Sequence, residues 1–301
     1  MFPVLFEVPL PWGGTFAVRS FGVMVALGVI VAAQILTRLA QRHDPHPVEG
    51  DTNELDAAAR YGNITVWIII GVFAGARAMY VIVEMARGTW QPETPFDIFA
   101  VWKGGLAMYG GFFGGITAGI MGAVKNGVNV RRASDLALTA SFFGLALGRI
   151  GCYLVGDDYG SAVPEAYASL PFPITLTVPD EEWLAANPHS LFGFDNAGLT
   201  LWATQIWMSV DAFAIGFVGL FWIKKRRYYG QVALRLVALY ALMRGLIETF
   251  RGDEVRGVWF GGALSTSQLI AIVSGLIALA LIAKNRGRTD PELVEPAADA
   301  A

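Results

Sequence analysis

Long apolar stretches alternate with short polar connections along the whole chain. A helix needs about 20 mainly apolar residues to cross the hydrocarbon core of a bilayer. Seven stretches have that character: 21–40, 64–83, 105–124, 134–156, 200–223, 232–250 and 264–283. Several are rich in Gly and Ala, which lets membrane helices approach closely. The pattern predicts an all-α fold, a polytopic membrane helix bundle with seven transmembrane helices.

Composition supports a membrane protein and argues against most soluble classes. The chain is 54% hydrophobic and only 16% charged, with a mean hydropathy of +0.49, which lies outside the usual range of soluble domains. No Cys/His metal spacing and no nucleotide-binding glycine motif occurs, so we expect no metal and no cofactor. The basic run at 224–227 is interpreted as a cytoplasmic anchor, and we expect no nucleic acid partner.

The distribution of basic residues predicts the orientation. Alternate connections carry twelve Lys and Arg residues on one side of the membrane and five on the other. The side with more positive charge is normally cytoplasmic. We therefore expect the N-terminus outside and the C-terminus in the cytoplasm, with no removable signal peptide.

The domain organisation follows from the same connections. Residues 1–283 form the predicted membrane domain. Its longest connection, 157–198, has seven acidic residues and neither Lys nor Arg, and it is too long for a simple turn, so we expect a small extracytoplasmic head. Residues 284–301 are predicted to be a disordered cytoplasmic tail.

Ionisable side chains within the apolar stretches lie near the outer surface. Arg149, Arg244 and Arg77 each lie six or seven residues before the outer end of their stretch, a depth of about 10 Å. Glu248 lies at the outer boundary. Because charge inside a membrane is costly, such residues face the protein interior and have partners.

The motif YALMRGLIETFRGD, residues 240–253, places further polar groups beside these arginines. Its spacings of four, four and three put Tyr240, Arg244, Glu248 and Arg251 on one helical face. The intramembrane arginines outnumber the carboxylates, and Arg is suited to a bidentate grip on phosphate. The residues alone therefore predict a site for an anionic phospholipid head group.

A structural interpretation of the same residues stays open. In it, Glu248 neutralises Arg244, and Arg149 bonds to backbone carbonyls or to Asp157. Asp157 and Asp158 end the fourth stretch, where they either pair with Arg149 or Arg244 or are solvated acidic residues at a helix end.

Four stretches carry a resemblance to a known family. They are VRSFGVMVALG at 18–28, GGLAMYGGFFGG at 104–115, LGRIGCYLVGDDYG at 147–160, and LYALMRGLIETFRGD with LSTSQLI at 239–270. The short ATQIW at 203–207 is similar to the Pro-Thr-Gln-Leu-Tyr element of the same family. The chain resembles the prolipoprotein diacylglyceryl transferases, bacterial inner-membrane enzymes with seven spans.

The resemblance implies an activity and roles for particular residues. The family transfers the diacylglyceryl group of phosphatidylglycerol to the lipobox cysteine of a preprolipoprotein and releases glycerol phosphate. By resemblance, Arg149 and Arg244 hold the lipid phosphate, Glu248 and Arg251 orient them, and Gly160 closes the turn after the fourth span. The implied partners are phosphatidylglycerol, the lipobox segment and the membrane.

The sequence departs from the family pattern at four positions. Tyr109 stands where the family usually has His, Cys152 where it has Asn, Phe21 where it has Tyr, and Met208 where it has Glu. The base that accepts the thiol proton is then Tyr109 or Glu248, although Tyr109 can also be read as an interfacial aromatic. Cys152 is read as a small apolar filler, with a second nucleophile as the alternative.

Three functions are therefore compared. The first is diacylglyceryl transfer. The second is a catalytically altered paralogue that binds anionic phospholipid or a membrane partner. The third is an unrelated transporter or channel, which is disfavoured because the polar cluster is confined to the outer half of the membrane.

Overall fold

The computed structural model describes residues 1–9, 11, 13–44, 56–92, 94–100, 104–252, 257–260 and 264–293. These residues form eight α-helices: α1 Ser20–His43, α2 Ala57–Arg87, α3 Met108–Lys125, α4 Val130–Val155, α5 Glu181–Ala186, α6 Thr204–Ile223, α7 Gln231–Glu248 and α8 Thr266–Lys284. Each of the seven predicted stretches contains one long helix, and the short α5 lies in the predicted head.

Three small antiparallel ladders accompany the helices. They pair β1 (Val4–Pro9) with β2 (Thr15–Arg19), β3 (Thr175–Thr177) with β4 (Thr200–Trp202), and β5 (Val258–Trp259) with β6 (Leu264–Ser265). The fifth predicted stretch was therefore placed too early: residues 200–202 are a strand, and α6 begins at Thr204. An apolar strand followed directly by an apolar helix gives one uninterrupted hydrophobic run, so the run alone does not mark the boundary.

Five helices, α1, α2, α4, α6 and α8, are long and apolar enough to cross a membrane. The other two long helices, α3 and α7, do not meet this criterion. Glycine lowers the hydropathy of α3, and α7 carries Arg235, Arg244 and Glu248. The structure thus supports a multi-pass helical membrane protein, while the count of seven spans stays a prediction.

Side-chain caps fix where several helices begin. The Asp56 carboxylate accepts from the backbone N–H of Ala59 at the start of α2. Ser265 and Gln268 form a reciprocal capping box at the start of α8, which satisfies two N–H groups that the helix leaves free. The buried carboxylate of Asp135 accepts from the N–H groups of Gly230 and Ala233, both at 2.9 Å, and so caps α7 from a different helix.

The chain divides into two compact units, 33–134 and 1–32 with 135–301. In the first unit, glycines let α2 and α3 pack at backbone contact. A Cβ on Gly75 would collide with the carbonyl of Gly110, and a Cβ on Gly114 with the carbonyl of Gly71. The same unit contains a buried polar contact at Asp44, which accepts from the Tyr61 hydroxyl at 2.8 Å and pairs with Arg132.

In the second unit, α4 packs against α6. The Ser209 hydroxyl donates to the carbonyl of Ala146 at 2.9 Å, and a Cβ on Gly216 would lie 2.8 Å from the ring of Phe143. Small residues on α6 therefore admit the aromatic side chains of α4.

The segment between α4 and α6 is a small module with its own apolar core. The β3–β4 ladder and α5 surround a cluster of buried side chains, Leu176, Val178, Leu184, Phe192, Leu201 and Ala203. A compact unit was predicted for 157–198; its extracytoplasmic position stays a prediction.

The beginning of the predicted tail contacts the residues before α7. The Asp290 carboxylate accepts from the N–H of Tyr229 at 2.8 Å, and the Tyr229 hydroxyl donates to Glu292 at 3.0 Å. The disorder of residues 284–301 stays a prediction. Residues 294–301 of the predicted tail lie outside the described residues.

Candidate functional site

The end of α4 turns the chain back toward Arg149. Gly156 and Asp158 both have left-handed backbones, with φ of 78° and 55°, and the N–H of Asp157 bonds to the carbonyl of Cys152 at 2.9 Å. A left-handed residue after a helix end reverses the chain over the last turn. This reversal brings the Asp158 side chain beside a residue nine positions earlier.

Asp158 joins two arginines from separate elements. One carboxylate oxygen pairs with Arg149 of α4, and the other pairs with Arg251. Burial on its own raises the pKa of the Asp158 carboxyl, but the guanidinium groups of Arg149 and Arg251 outweigh burial and hold this pKa below its ordinary value. Asp158 therefore remains a carboxylate at neutral pH. The aspartates were predicted to pair with Arg149 or Arg244. In the structure Asp158 pairs with Arg149 and also with Arg251, which had not been predicted as its partner.

The motif spacing had predicted that Arg251 lies on α7. In the structure Arg251 follows the end of this helix. The helix ends at Glu248, and Arg251 forms an isolated antiparallel bridge with Gly160. A Cβ on Gly160 would lie 2.5 Å from the carbonyl oxygen of Trp202 and 3.0 Å from that of Phe250. Gly160 therefore permits three backbone segments to meet; its role in closing the turn after the fourth span stays a prediction.

Glu248 links the two arginines of the α7 motif. Its carboxylate lies 2.9 Å from Arg244 and 3.9 Å from the Nε of Arg251, and the side chain is 1% exposed. Arg244 also donates to the Met208 sulfur at 3.2 Å and to the Ser267 hydroxyl at 3.3 Å. The side chain of Arg244 therefore contacts α6 and α8 as well as its own helix.

We call the five joined residues the cation network: Arg149, Arg244, Arg251, Asp158 and Glu248. Within the described part of the chain it combines three guanidinium groups with two carboxylates, and the Asp157 carboxylate lies within 4.8 Å of the Asp158 carboxylate. Met208 in the second turn of α6 and Ser267 in the first turn of α8 also contact it, and helix N-termini carry a partial positive charge. The arrangement is suited to a monoanion such as a phosphodiester.

The remaining predicted site residues occupy varied positions. Tyr240 packs edge-on against Phe142 with ring centroids 5.4 Å apart. The Asp157 carboxylate accepts from the N–H of Asp158 at 2.9 Å and so stabilises the reversal after α4. Tyr109 lies half-buried in the first turn of α3, in the other unit.

Arg77 is engaged by its own unit. It is 6% exposed, and its guanidinium donates to the carbonyls of Asp97, Ile98, Gly104 and Gly105. It also lies over the rings of Tyr80 and Trp90. These contacts fasten the chain between α2 and α3.

Sequence reasoning missed several polar residues of the second unit. Ser267 bonds Arg244, Thr204 donates to the carbonyl of Asp158 at 2.9 Å, and Gln205 is fully buried. All three lie at helix starts, where polar residues are common for capping alone. Their position in the sequence could have indicated them, because each lies at the end of its helix where the cation network is located.

Fold and site together define a class: a multi-pass helical membrane protein with a cationic centre built where helices begin and end. Residues 4–284 match the family model of prolipoprotein diacylglyceryl transferase. The chain belongs to this family, which confirms the resemblance seen in its motifs and makes it a transferase.

Curated relatives agree along nearly their whole length. A phosphatidylglycerol--prolipoprotein diacylglyceryl transferase 2 of Clostridium perfringens is 29% identical over 91% of this chain and 94% of its own. Enzymes named phosphatidylglycerol--prolipoprotein diacylglyceryl transferase from Gloeobacter violaceus and Mannheimia succiniciproducens are 28% and 27% identical, covering 88% and 94% of this chain and 89% and 94% of their own.

Proposed function

We propose that the protein transfers the diacylglyceryl group of phosphatidylglycerol to the lipobox cysteine of preprolipoproteins, the first step of bacterial lipoprotein maturation. The observation that carries this proposal is the clustering of three guanidinium groups in the cation network of a member of this family. The names of the relatives specify the lipid and the acceptor protein. The network offers the matching binding chemistry for the phosphate of that lipid.

The proposed reaction exchanges a carbon–oxygen bond for a carbon–sulfur bond. The thiolate of the lipobox cysteine attacks the carbon of the diacylated glycerol that is bonded to the phosphate oxygen. A thioether forms, and the electron pair of the broken C–O bond leaves on the oxygen of glycerol phosphate. Arg149 and Arg244 stabilise the negative charge that develops on this leaving group.

The thiol proton needs an acceptor. Glu248 already shares its charge with Arg244 and Arg251, so we assign it the task of orienting these arginines. We assign proton acceptance to Tyr109, which stands where the family usually has His. A phenol accepts a proton as its phenolate, and the ordinary pKa of a phenol is near 10.

Other predicted site residues hold this centre in place. Asp158 and Asp157 fix the end of α4, and Gly160 fixes the crossing that holds Arg251. We propose that Tyr240 shapes the wall beside Arg244 by packing on Phe142. Arg77, whose donors bond to backbone carbonyls, orders the chain before α3 and does not bind phosphate.

We also propose a topology of seven spans in the bacterial inner membrane, with the N-terminus and the head outside and the C-terminus in the cytoplasm. In this arrangement α3 crosses as a glycine-rich partner of α2, and α7 crosses with its charges directed inward. The twelve-to-five distribution of basic residues supports this orientation.

The test uses the purified protein with phosphatidylglycerol micelles and a synthetic lipobox peptide. We expect mass spectrometry to detect a diacylglyceryl group on the peptide cysteine. Arg149→Ala and Arg244→Ala should each lower the rate at least about a hundredfold, because each removes a group that stabilises the transition-state charge. Arg149→Lys should also be slow, since Lys lacks the bidentate fork.

Arg235→Ala is the matched control on α7. Arg235 lies over the ring of Trp222, outside the cation network, and its loss should leave the rate nearly unchanged. Full activity in Arg149→Ala or Arg244→Ala would refute the phosphate role. A folded wild-type protein that binds phosphatidylglycerol but gives no product would favour the altered paralogue.

A further inference from the structure

Gln205 is a polar side chain that the described residues leave unsatisfied. It lies in the first turn of α6 and is 0% exposed. Neither the nitrogen nor the oxygen of its amide has a hydrogen-bond partner among the described residues. Buried amides in native proteins are nearly always hydrogen-bonded, so such a group calls for an explanation.

The neighbours of Gln205 on α6 both contact the cation network. Thr204, just before it, donates to the Asp158 carbonyl at 2.9 Å. Met208, one helical turn later, accepts from Arg244 at 3.2 Å. Gln205 thus lies, along α6, between two residues that contact the network, at a helix N-terminus whose first N–H groups are free of intrahelical partners.

The chemistry of the amide indicates what it binds. Arginines only donate hydrogen bonds, whereas a Gln amide both donates and accepts. A complete partner must therefore also donate and accept, as a hydroxyl does. Phosphatidylglycerol carries two hydroxyls on the glycerol beyond its phosphate, within the length of a few bonds.

We propose that Gln205 binds the head-group hydroxyls of phosphatidylglycerol while the arginines hold its phosphate. This inference rests on the proposed function and adds a specificity determinant to it. Gln205 would distinguish a glycerol head from an anionic lipid that has phosphate alone.

The first measurement compares lipid binding without peptide. Full-length protein is mixed with equal amounts of phosphatidylglycerol and phosphatidic acid of identical acyl chains, and bound lipid is quantified by native mass spectrometry. Wild type should prefer phosphatidylglycerol about tenfold, the usual effect of one or two net hydrogen bonds. Gln205→Leu should reduce this preference to about onefold without weakening phosphatidic acid binding. Gln34→Leu, at an exposed position of α1, is the matched control and should retain the preference.

A second measurement protects the test against misfolding. Because Leu replaces an unsatisfied buried amide by an apolar group of similar size, lipid-free Gln205→Leu should unfold at the same temperature as wild type or above it. A clearly lower midpoint would mean that the amide has a structural partner, and would overturn the proposal. An unchanged lipid preference, loss of both lipids, or a raised KM for the peptide alone would also overturn it.

The transfer assay, run in parallel on wild type, separates the two hypotheses. Lipid preference that depends on Gln205 without any thioether product contradicts the proposed transfer and leaves the head-group site standing. If the thioether product forms but Gln205→Leu keeps the wild-type preference for phosphatidylglycerol, the head-group site is refuted and the proposed transfer stands.

Discussion

Asp158 holds Arg149 and Arg251 together, and its lowered pKa makes this contribution measurable. A carboxyl whose pKa is lower when folded stabilises the protein fully above its unfolded pKa of about 4, and this stability is lost as pH falls through the folded value. At pH 7, Asp158→Asn should lower the free energy of unfolding by about 2 kcal/mol, because two arginines lose a partly buried partner. Thermal unfolding between pH 7 and pH 3 checks this prediction.

The difference between wild type and Asp158→Asn should stay constant down to about pH 4 and shrink only below it. The exposed Asp195 in the small module provides the control, since Asp195→Asn should show no such difference. A gap that already closes between pH 6 and pH 5 would contradict the pairing.

Tyr109 gives a second prediction at the residue scale. If its phenol accepts the thiol proton, Tyr109→Phe should slow transfer by about 10² to 10⁴, the usual contribution of a general base. Tyr109→His, which introduces the residue usual in the family, should retain activity and move the rise in rate to lower pH, because imidazole titrates near 6.5. Rates measured from pH 5 to pH 10 test both variants.

An unchanged rate in Tyr109→Phe would transfer the role to Glu248 or to water. Phosphatidylglycerol binding, measured on the same preparations, shows whether each variant remains folded and loaded.

Part of the site could be read from sequence because arginines in an apolar stretch are conspicuous. Arg149, Arg244, Glu248 and Arg251 were all predicted, and all five members of the cation network come from two motifs. The pairing of Asp158 with Arg149 was one of two alternatives, whereas its second partner, Arg251, was not predicted, because that contact depends on left-handed backbone after α4. No residue spacing reveals that geometry.

At the scale of elements, the contact of α2 with α3 depends on glycine. Gly75→Ala should lower the unfolding temperature, because its Cβ would meet the Gly110 carbonyl and force the helices apart; overpacking of this kind typically costs about 1–3 kcal/mol. Gly62 of α2 has open space around it, so Gly62→Ala is the matched control. It should match wild type or exceed it, since Ala favours helix.

Thermal unfolding in a single detergent compares the two variants. Equal midpoints for Gly75→Ala and wild type would show that the helices tolerate separation there.

Helix positions were predicted more completely than membrane crossings. Apolar length located all seven long helices, because burial in protein or lipid requires the same side chains. Two of these helices, α3 and α7, are not apolar enough to be recognised as spans. The glycines that let α3 pack closely lower its hydropathy, and α7 carries the charged groups of the site. Hydropathy is therefore least able to identify a span where close packing or chemistry requires residues that are not strongly apolar.

For the whole molecule, the predicted topology can be tested by cysteine labelling. Cys152 is the only cysteine, so Cys152→Ser provides a background that should remain active if this thiol is not a nucleophile. In that background, Ser190→Cys in the small module should react with a membrane-impermeant maleimide in intact spheroplasts. Asn285→Cys after α8 should react only after the membrane is opened.

Labelling of both positions from outside, or of neither, would contradict seven spans with an external N-terminus. The Cys152→Ser background without an introduced cysteine measures the labelling that does not arise from the protein.

The negative charge held at the cation network changes during turnover. The phosphodiester of an intact lipid brings one negative charge to the network. Glycerol phosphate carries close to two at neutral pH, so the same site must hold an additional negative charge once the bond has broken. Holding that additional charge away from water is costly, whereas the aqueous phase solvates it fully. Departure of the polar product is thereby favoured by the chemistry that creates it.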